Sequence, residues 1–116
     1  MITLEDIESF QDKEPLSLDE YQEKVMTTAI YKDKILYTAL GLCGEAGEVA
    51  EKIKKWLRDG ELDDIELAKE LGDVMWYVAA LSNDLGYDLS EIAEMNLIKL
   101  QSRKARGMLG GSGDNR

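Results

Sequence analysis

Apolar residues recur at alternating steps of four and three between positions 67 and 85, and this repeat restricts the segment to helical structure. Its members are Leu67, Leu71, Val74, Val78, Leu81 and Leu85. A half-buried strand would instead need apolar residues at every second position. The repeat therefore predicts one long amphipathic helix whose apolar stripe faces the core.

Helix signals follow one another along the rest of the chain, and no strand pattern interrupts them. Capping boxes begin at Ser17 and Asp88, and Gly60 and Gly86 follow the ends of two apolar repeats. The predicted helices span residues 4–10, 17–30, 33–58, 63–85 and 88–105. The predicted fold is all-α, a small antiparallel bundle of about four main helices in a single domain over residues 1–106. Residues 107–116 contain four glycines and are predicted to be a disordered tail.

The bundle is also predicted to assemble as a homodimer or homotetramer. A chain of 116 residues buries only about two-thirds of its unfolded surface, so a second subunit would help to cover apolar residues. Trp76 projects away from the leucine stripe, which indicates that its helix is covered on more than one side. A subunit interface is one interpretation of Trp76, and an aromatic wall for a nucleobase is the other.

Charge and cysteine content restrict the class of protein further. The chain has 24 acidic and 14 basic residues, a net charge of −10, which argues against binding to duplex nucleic acid or to an anionic membrane. Cys43 is the only cysteine and histidine is absent, so neither an internal disulfide nor a Cys/His zinc site can form. This cysteine content favours a reducing cytoplasm, and a soluble protein is expected because no apolar run is long enough to span a bilayer.

Two acidic pairs, Glu45-Ala-Gly-Glu48 and Glu70-Leu-Gly-Asp73, lie on the second and third main helices. Residues three apart on a helix project only about 60° from each other, so each pair presents two carboxylates on one face. Both pairs border the apolar side of their helices, and four converging carboxylates need a cation between them. The pattern predicts a site for Mg²⁺ or Mn²⁺, although a single acidic pair of this kind is usually a solvated surface.

Other residues near the acidic pairs are candidates for ligand contact. Lys52 continues the acidic stripe of its helix, and Tyr77 follows Asp73 by one turn, where it could contact a ligand or simply pack. Three glycines interrupt the helix around the first pair: Gly41, Gly44 and Gly47. Each costs about 1 kcal/mol relative to alanine, so they serve either close helix packing or space for a ligand.

A stripe of polar and basic side chains marks the last helix. Its members are Asn96, Lys99, Arg103 and Arg106. In an acidic chain this concentration suggests a phosphate clamp. The alternative interpretation is an ordinary basic helix end that interacts favourably with the helix dipole.

Together these motifs resemble the MazG-type all-α nucleoside triphosphate pyrophosphohydrolases. The resemblance covers about residues 18–107 and rests on the two acidic motifs, the 21 residues between them, Asn96-x-x-Lys99-Leu and Arg103-Lys104-x-Arg106-Gly107. It implies hydrolysis of a nucleoside triphosphate between the α- and β-phosphates, giving the monophosphate and pyrophosphate. Carried over by position, the four acids Glu45, Glu48, Glu70 and Asp73 would hold Mg²⁺, while Asn96, Lys99 and Arg103 would bind phosphate.

In such a reaction one carboxylate would accept the proton of the attacking water, and Glu45 and Glu48 are the candidates. Lys52 and Tyr77 would add substrate contacts beside them. A second hypothesis remains open, in which the chain is a non-catalytic acidic helical module that binds a basic protein partner and its acid pairs simply face solvent.

Overall fold

The computed structural model describes residues 2–11 and 14–113, and within them all regular structure is α-helical. The five helices are α1 (Leu4–Gln11), α2 (Leu18–Thr27), α3 (Leu36–Asp59), α4 (Asp64–Asp84) and α5 (Leu89–Ala105). The predicted all-α class is therefore confirmed. None of these helices is long and apolar enough to cross a membrane.

Local capping interactions set most of the helix boundaries where the sequence predicted them. The Ser17 hydroxyl accepts from the Glu20 N–H at 3.1 Å, and the Asp63 carboxylate accepts from the Glu66 N–H, also at 3.1 Å. At α5 the Glu91 carboxylate accepts from the Asp88 N–H at 2.9 Å. Each bond satisfies a backbone donor that has no partner within its own helix. Gly60 ends α3 with a φ of 79°, a conformation that glycine adopts without a steric penalty.

Helix α4 is the centre of the bundle. It packs along α3 on one side and against α2 and α5 on the other, while α2 and α5 also contact each other. Among the described residues α3 contacts no helix except α4. The helices that carry the two acidic pairs are therefore direct neighbours, which is the arrangement that a shared metal site requires.

The core of a single chain is small and differs from the predicted one. Among the residues that the structure describes, the buried hydrophobic ones are Val25, Ala79, Ala80 and Leu89. The leucine stripe of α4 was predicted to be buried, and this prediction was wrong for Leu71 and Leu85, which are each 51% exposed, whereas the other four members are partly buried. Helix α2 instead packs on the small side chains of Ala79 and Ala80, and part of the stripe lines an open apolar groove of about 330 Å³ between α4 and α5.

Buried polar groups join the helices where apolar packing is thin. The buried amide of Gln22 donates to the carbonyls of Ala79 and Tyr87 at 3.1 and 3.0 Å, and its oxygen accepts from the Leu89 N–H at 3.0 Å. This side chain on α2 thereby fixes the α4–α5 turn. A buried amide with all these bonds avoids the cost of an unsatisfied polar group and holds three elements in one arrangement.

Two helix ends differ from the predicted positions. Helix α2 ends at Thr27 instead of about Ile30, and α3 begins at Leu36 instead of about Asp33. Ile35 precedes α3 with a φ of 67°, an unfavourable conformation for a β-branched residue, and its N–H donates to Asp84 at 3.0 Å. A contact with a residue far along the chain therefore sets this boundary.

The C-terminal segment lies beyond the last helix. Residues 107–113 have no regular secondary structure, and the guanidinium of Arg103 donates to the Gly113 carbonyl at 3.3 Å. Residues 114–116 lie outside the described part of the chain, so disorder over 107–116 stays a prediction. The assignment of residues 1–106 to one domain stays a prediction as well.

Candidate metal centre

The packing of α3 against α4 brings three carboxylates together. Glu45 from α3 and Glu70 and Asp73 from α4 each offer an oxygen, and the three oxygens lie within 4.8 Å of one another. Glu45 and Glu70 are half-buried, whereas Asp73 is exposed. The site is thus open to solvent on one side and enclosed by helix on the other.

Electrostatic repulsion acts on this group in the absence of a cation. Partial burial, followed by the charges of Asp73, Glu70 and Glu48, raises the pKa of Glu45 above its ordinary value. Within residues 2–11 and 14–113, the ion pairs of 4.0 Å or less shown by the structure are Lys54–Glu51, Arg58–Asp59 and Lys69–Glu66. The three clustered carboxylates are members of none of these pairs.

The donor set fits a small hard cation. Magnesium binds oxygen ligands at about 2.1 Å, so two ligands of one ion lie about 3 to 4 Å apart. The observed oxygens within 4.8 Å need only small side-chain rotations to reach that spacing. Three carboxylates with solvent on one side would also leave coordination positions for water or phosphate oxygens.

Glu48 and Lys52 lie farther along α3. Glu48 is exposed and is not a member of the three-carboxylate group, although its charge still acts on Glu45. Lys52 is half-buried and lines a separate hollow with Asp63 and Glu66 near the α3–α4 loop. Within one chain the structure therefore places three of the four predicted metal ligands together and leaves Lys52 in another hollow.

An aromatic wall borders the carboxylates. Glu45, Asp73, Trp76 and Tyr77 line one cleft of about 260 Å³. The Trp76 ring meets the Tyr77 ring edge-on, with centroids 5.0 Å apart, and the Trp76 indole N–H donates to the Thr28 hydroxyl at 2.9 Å. Trp76 therefore borders the cleft that contains the acids, and this position is compatible with both interpretations of the residue.

Two further rings, which the sequence did not indicate as site residues, extend this wall. Tyr31 stacks on Tyr37 with centroids 5.1 Å apart and meets Trp76 edge-on at 6.2 Å. Tyr37 also approaches Tyr77 at 6.2 Å. We call Tyr31, Tyr37, Trp76 and Tyr77 the aromatic row. The sequence had indicated Trp76 and Tyr77 as candidates, whereas the only sequence signal for the other two rings is the closeness of Tyr31 and Tyr37.

The predicted phosphate-binding residues of α5 do not join this cleft within one chain. Asn96 lines the apolar groove with Val74 and Val78, on another side of α4. Arg103 is buried and bonds to the Gly113 carbonyl, and Lys99 is half-buried. Over the described residues α5 does not contact α3, which carries Glu45.

A family model of the MazG nucleotide pyrophosphohydrolase domain matches residues 34–108, which include α3, α4, α5 and all three clustered carboxylates. The chain belongs to the MazG family. A Mycobacterium phage L5 relative, described as Gene 37 protein, is 47% identical over 116 aligned positions, which cover 87% of this chain and 100% of the relative. No solved structure gives a significant match. Membership of the MazG family supports nucleotide pyrophosphohydrolase activity, and the acidic cluster agrees with the divalent-metal dependence that is general among MazG-type hydrolases.

Proposed function

We propose that this MazG protein is a Mg²⁺-dependent hydrolase of nucleoside or deoxynucleoside triphosphates that releases pyrophosphate and the monophosphate. Its role would be housekeeping of the nucleotide pool. The convergence of Glu45, Glu70 and Asp73 within 4.8 Å carries this proposal. A cation among these side chains would offset their mutual repulsion, whereas a solvated acidic surface would leave that repulsion uncompensated.

The proposed roles of the carboxylates follow from their positions. Glu45, Glu70 and Asp73 would hold the ion, with Glu48 joining by a change of side-chain rotamer. Bound there, Mg²⁺ would neutralise phosphate charge and make the attacking water more acidic. Glu45 and Glu48 are the candidates for the proton acceptor, because Glu45 lines the cleft beside the proposed ion and the charge of Glu48 acts on Glu45.

The remaining contacts concern the substrate. Tyr77 lies beside the carboxylates and would contact the nucleotide directly, while Lys52 would reach the phosphates only from farther along α3. We propose that Asn96, Lys99 and Arg103 bind phosphate, as the family resemblance implies. Within one chain α5 does not contact α3 over the described residues, so these three side chains would have to approach the cleft from another subunit.

The released product tests the reaction. We expect the purified protein with Mg²⁺ to release pyrophosphate from at least one nucleoside or deoxynucleoside triphosphate, and a chelator to abolish the release. A coupled assay for pyrophosphate, run beside one for orthophosphate, measures this over a panel of ordinary and modified bases. Orthophosphate as the first product would refute the proposed bond cleavage, and a chelator-insensitive rate would refute the metal dependence.

We further propose that the protein is a homodimer or homotetramer. Large apolar side chains are exposed on α3 and α5, among them Leu40 at 66%, Leu57 at 79% and Ile98 at 66%. Exposed apolar surface on several helices of one small domain is costly unless another subunit covers it. A second copy would also offer a route for α5 side chains to a cleft that they do not reach in one chain.

Light scattering at micromolar concentration measures the assembly. We expect a mass of at least twice the 13.0 kDa of one chain. Ile98→Glu should lower this mass, since it places a charge on an apolar surface that we expect to be covered. Glu23→Gln, an exposed change on α2 away from these apolar side chains, serves as the control. A parent mass near that of one chain would refute the assembly.

A further inference from the structure

Gly41 on α3 lies directly against the ring of Tyr77 on α4. A Cβ atom built on Gly41 would overlap the Cδ1, Cε1 and Cζ atoms of that ring. A Cβ built on Gly44 or Gly47, in the same helix, would meet no atom within 4 Å. Of the three glycines around the first acidic pair, Gly41 is therefore the one whose missing side chain lets another residue approach.

The Tyr77 ring cannot move away from α3 without losing other contacts. It meets Trp76 edge-on at 5.0 Å and lies 6.2 Å from Tyr37, between centroids. Trp76 is held in turn by its bond to Thr28 and by the ring of Tyr31. A methyl group at position 41 would thus displace a ring that its neighbours fix in one orientation, at the cost of these aromatic contacts.

The same ring forms a wall of the carboxylate cleft. Tyr77 lines that cleft with Glu45 and Asp73. A hydrogen bond with Tyr37, then burial and the charges of Tyr37, Glu45 and Asp73, raises the pKa of the Tyr77 phenol. A displacement of the ring would change the shape of the space in which a ligand of these carboxylates would sit.

We propose that Gly41 is a positioning residue for substrate binding. Because Gly41 has no side chain, the Tyr77 ring can pack directly against α3, and this contact fixes the ring beside Glu45 and Asp73. The inference rests on the proposed function, because it takes the nucleotide to be the ligand of the cleft. Gly41 contacts no reacting atom. Its effect passes through Tyr77 alone, which makes the inference separable from a general effect on helix stability.

A double-mutant cycle tests this coupling. Gly41→Ala should raise KM for the best nucleoside triphosphate by about two- to tenfold, the factor expected for one lost aromatic contact, while kcat changes by less than about threefold. Tyr77→Ala should raise KM as well. In the Tyr77→Ala background, Gly41→Ala should add no further increase, because the ring that it displaces is gone.

Near-UV circular dichroism of the aromatic row provides a readout that does not need turnover. Gly41→Ala should change this spectrum in the parent and leave it unchanged in the Tyr77→Ala background. Gly47→Ala is the matched control for helix propensity, and it should raise the melting temperature without changing the spectrum. An isothermal titration with Mn²⁺ should give the same affinity for parent and Gly41→Ala if only the ring moves. A lower affinity in Gly41→Ala would mean that α3 and α4 move apart, and it would overturn an effect that passes through Tyr77 alone.

The outcomes separate the inference from the proposed function. A parent that hydrolyses no nucleoside triphosphate overturns the proposed function, and the substrate part of the inference with it. In an active parent, KM increases that add independently in the double mutant overturn the inference alone. An unchanged near-UV spectrum in Gly41→Ala overturns the seating of Tyr77, whatever the activity of the parent.

Discussion

Replacing Glu70 with glutamine should remove most of the stabilisation that Mg²⁺ gives the folded protein, and most of the turnover. A metal that binds only the folded form adds about 2.7 kcal/mol at a hundred times its dissociation constant, which is about 10 °C in melting temperature for a chain of this size. Glu70 supplies one of the three oxygens that lie within 4.8 Å. Without its charge, the remaining carboxylates hold the ion weakly.

The same substitution should leave the metal-free protein equally stable or more stable. The charge of Glu70 is one of the causes that raise the pKa of Glu45, so in the metal-free fold these two carboxylates repel each other. Removing one charge relieves that repulsion. A merely structural role for Glu70 would not produce this combination, in which the stabilisation by Mg²⁺ is lost while the metal-free protein is equally stable or more stable.

Thermal unfolding with and without Mg²⁺, at fixed ionic strength, measures both effects. Glu51→Gln is the matched control, because it removes the same charge from an exposed position of α3 outside the cluster. We expect this control to keep the full Mg²⁺ shift. Equal Mg²⁺ shifts in the parent and in Glu70→Gln would exclude the metal site and favour the non-catalytic acidic module.

Where a structural feature depends on neighbours in sequence, the sequence was sufficient to predict it. The cap bonds of Ser17, Asp63 and Asp88 join residues three apart, so the starts of α2, α4 and α5 could be predicted within about a residue. The facing of Glu70 and Asp73 follows from helix geometry in the same way. That these acids meet Glu45 required only that the two helices pack side by side, as they do.

Features that depend on distant residues could not be predicted in this way. Helix α3 begins at Leu36 because the Ile35 N–H bonds to Asp84, 49 positions away. The leucine stripe has the period expected of a buried helix face, yet Leu71 is exposed. Its burial depends on which other helices pack against that face, and the period of the stripe does not predict this. Gly41 illustrates the same limit, since its sequence context resembles that of Gly44 while only Gly41 faces a ring.

Asp84 holds Tyr31, one ring of the aromatic row, through a hydrogen bond. Replacing Asp84 with asparagine should destabilise the protein strongly. Its carboxylate accepts hydrogen bonds from the Tyr31 hydroxyl at 2.8 Å, the Ile35 N–H at 3.0 Å and the Thr38 hydroxyl at 3.0 Å. Burial, followed by the bond to Asp84 and its charge, raises the pKa of Tyr31 to about 12. In an asparagine side chain one carboxylate oxygen is replaced by an NH₂ group, which is a donor. That NH₂ group could not accept the hydrogen bonds that this oxygen now accepts from Tyr31, Ile35 or Thr38.

We expect Asp84→Asn to lower the free energy of unfolding by about 2–4 kcal/mol, since bonds to a charged acceptor contribute about 1.5–3 kcal/mol each and the amide oxygen can replace only part of them. The melting temperature should fall by about 10 °C. Chemical denaturation measures the loss, with Asp33→Asn, an exposed change in the loop before α3, as the control. Near-UV circular dichroism should change as well, because Tyr31 loses the acceptor that holds its ring against Tyr37 and Trp76. If Asp84→Asn cost no more stability than Asp33→Asn, the start of α3 and the position of Tyr31 would have to be maintained by packing alone, and Asp84 would have no part in placing the wall of the cleft.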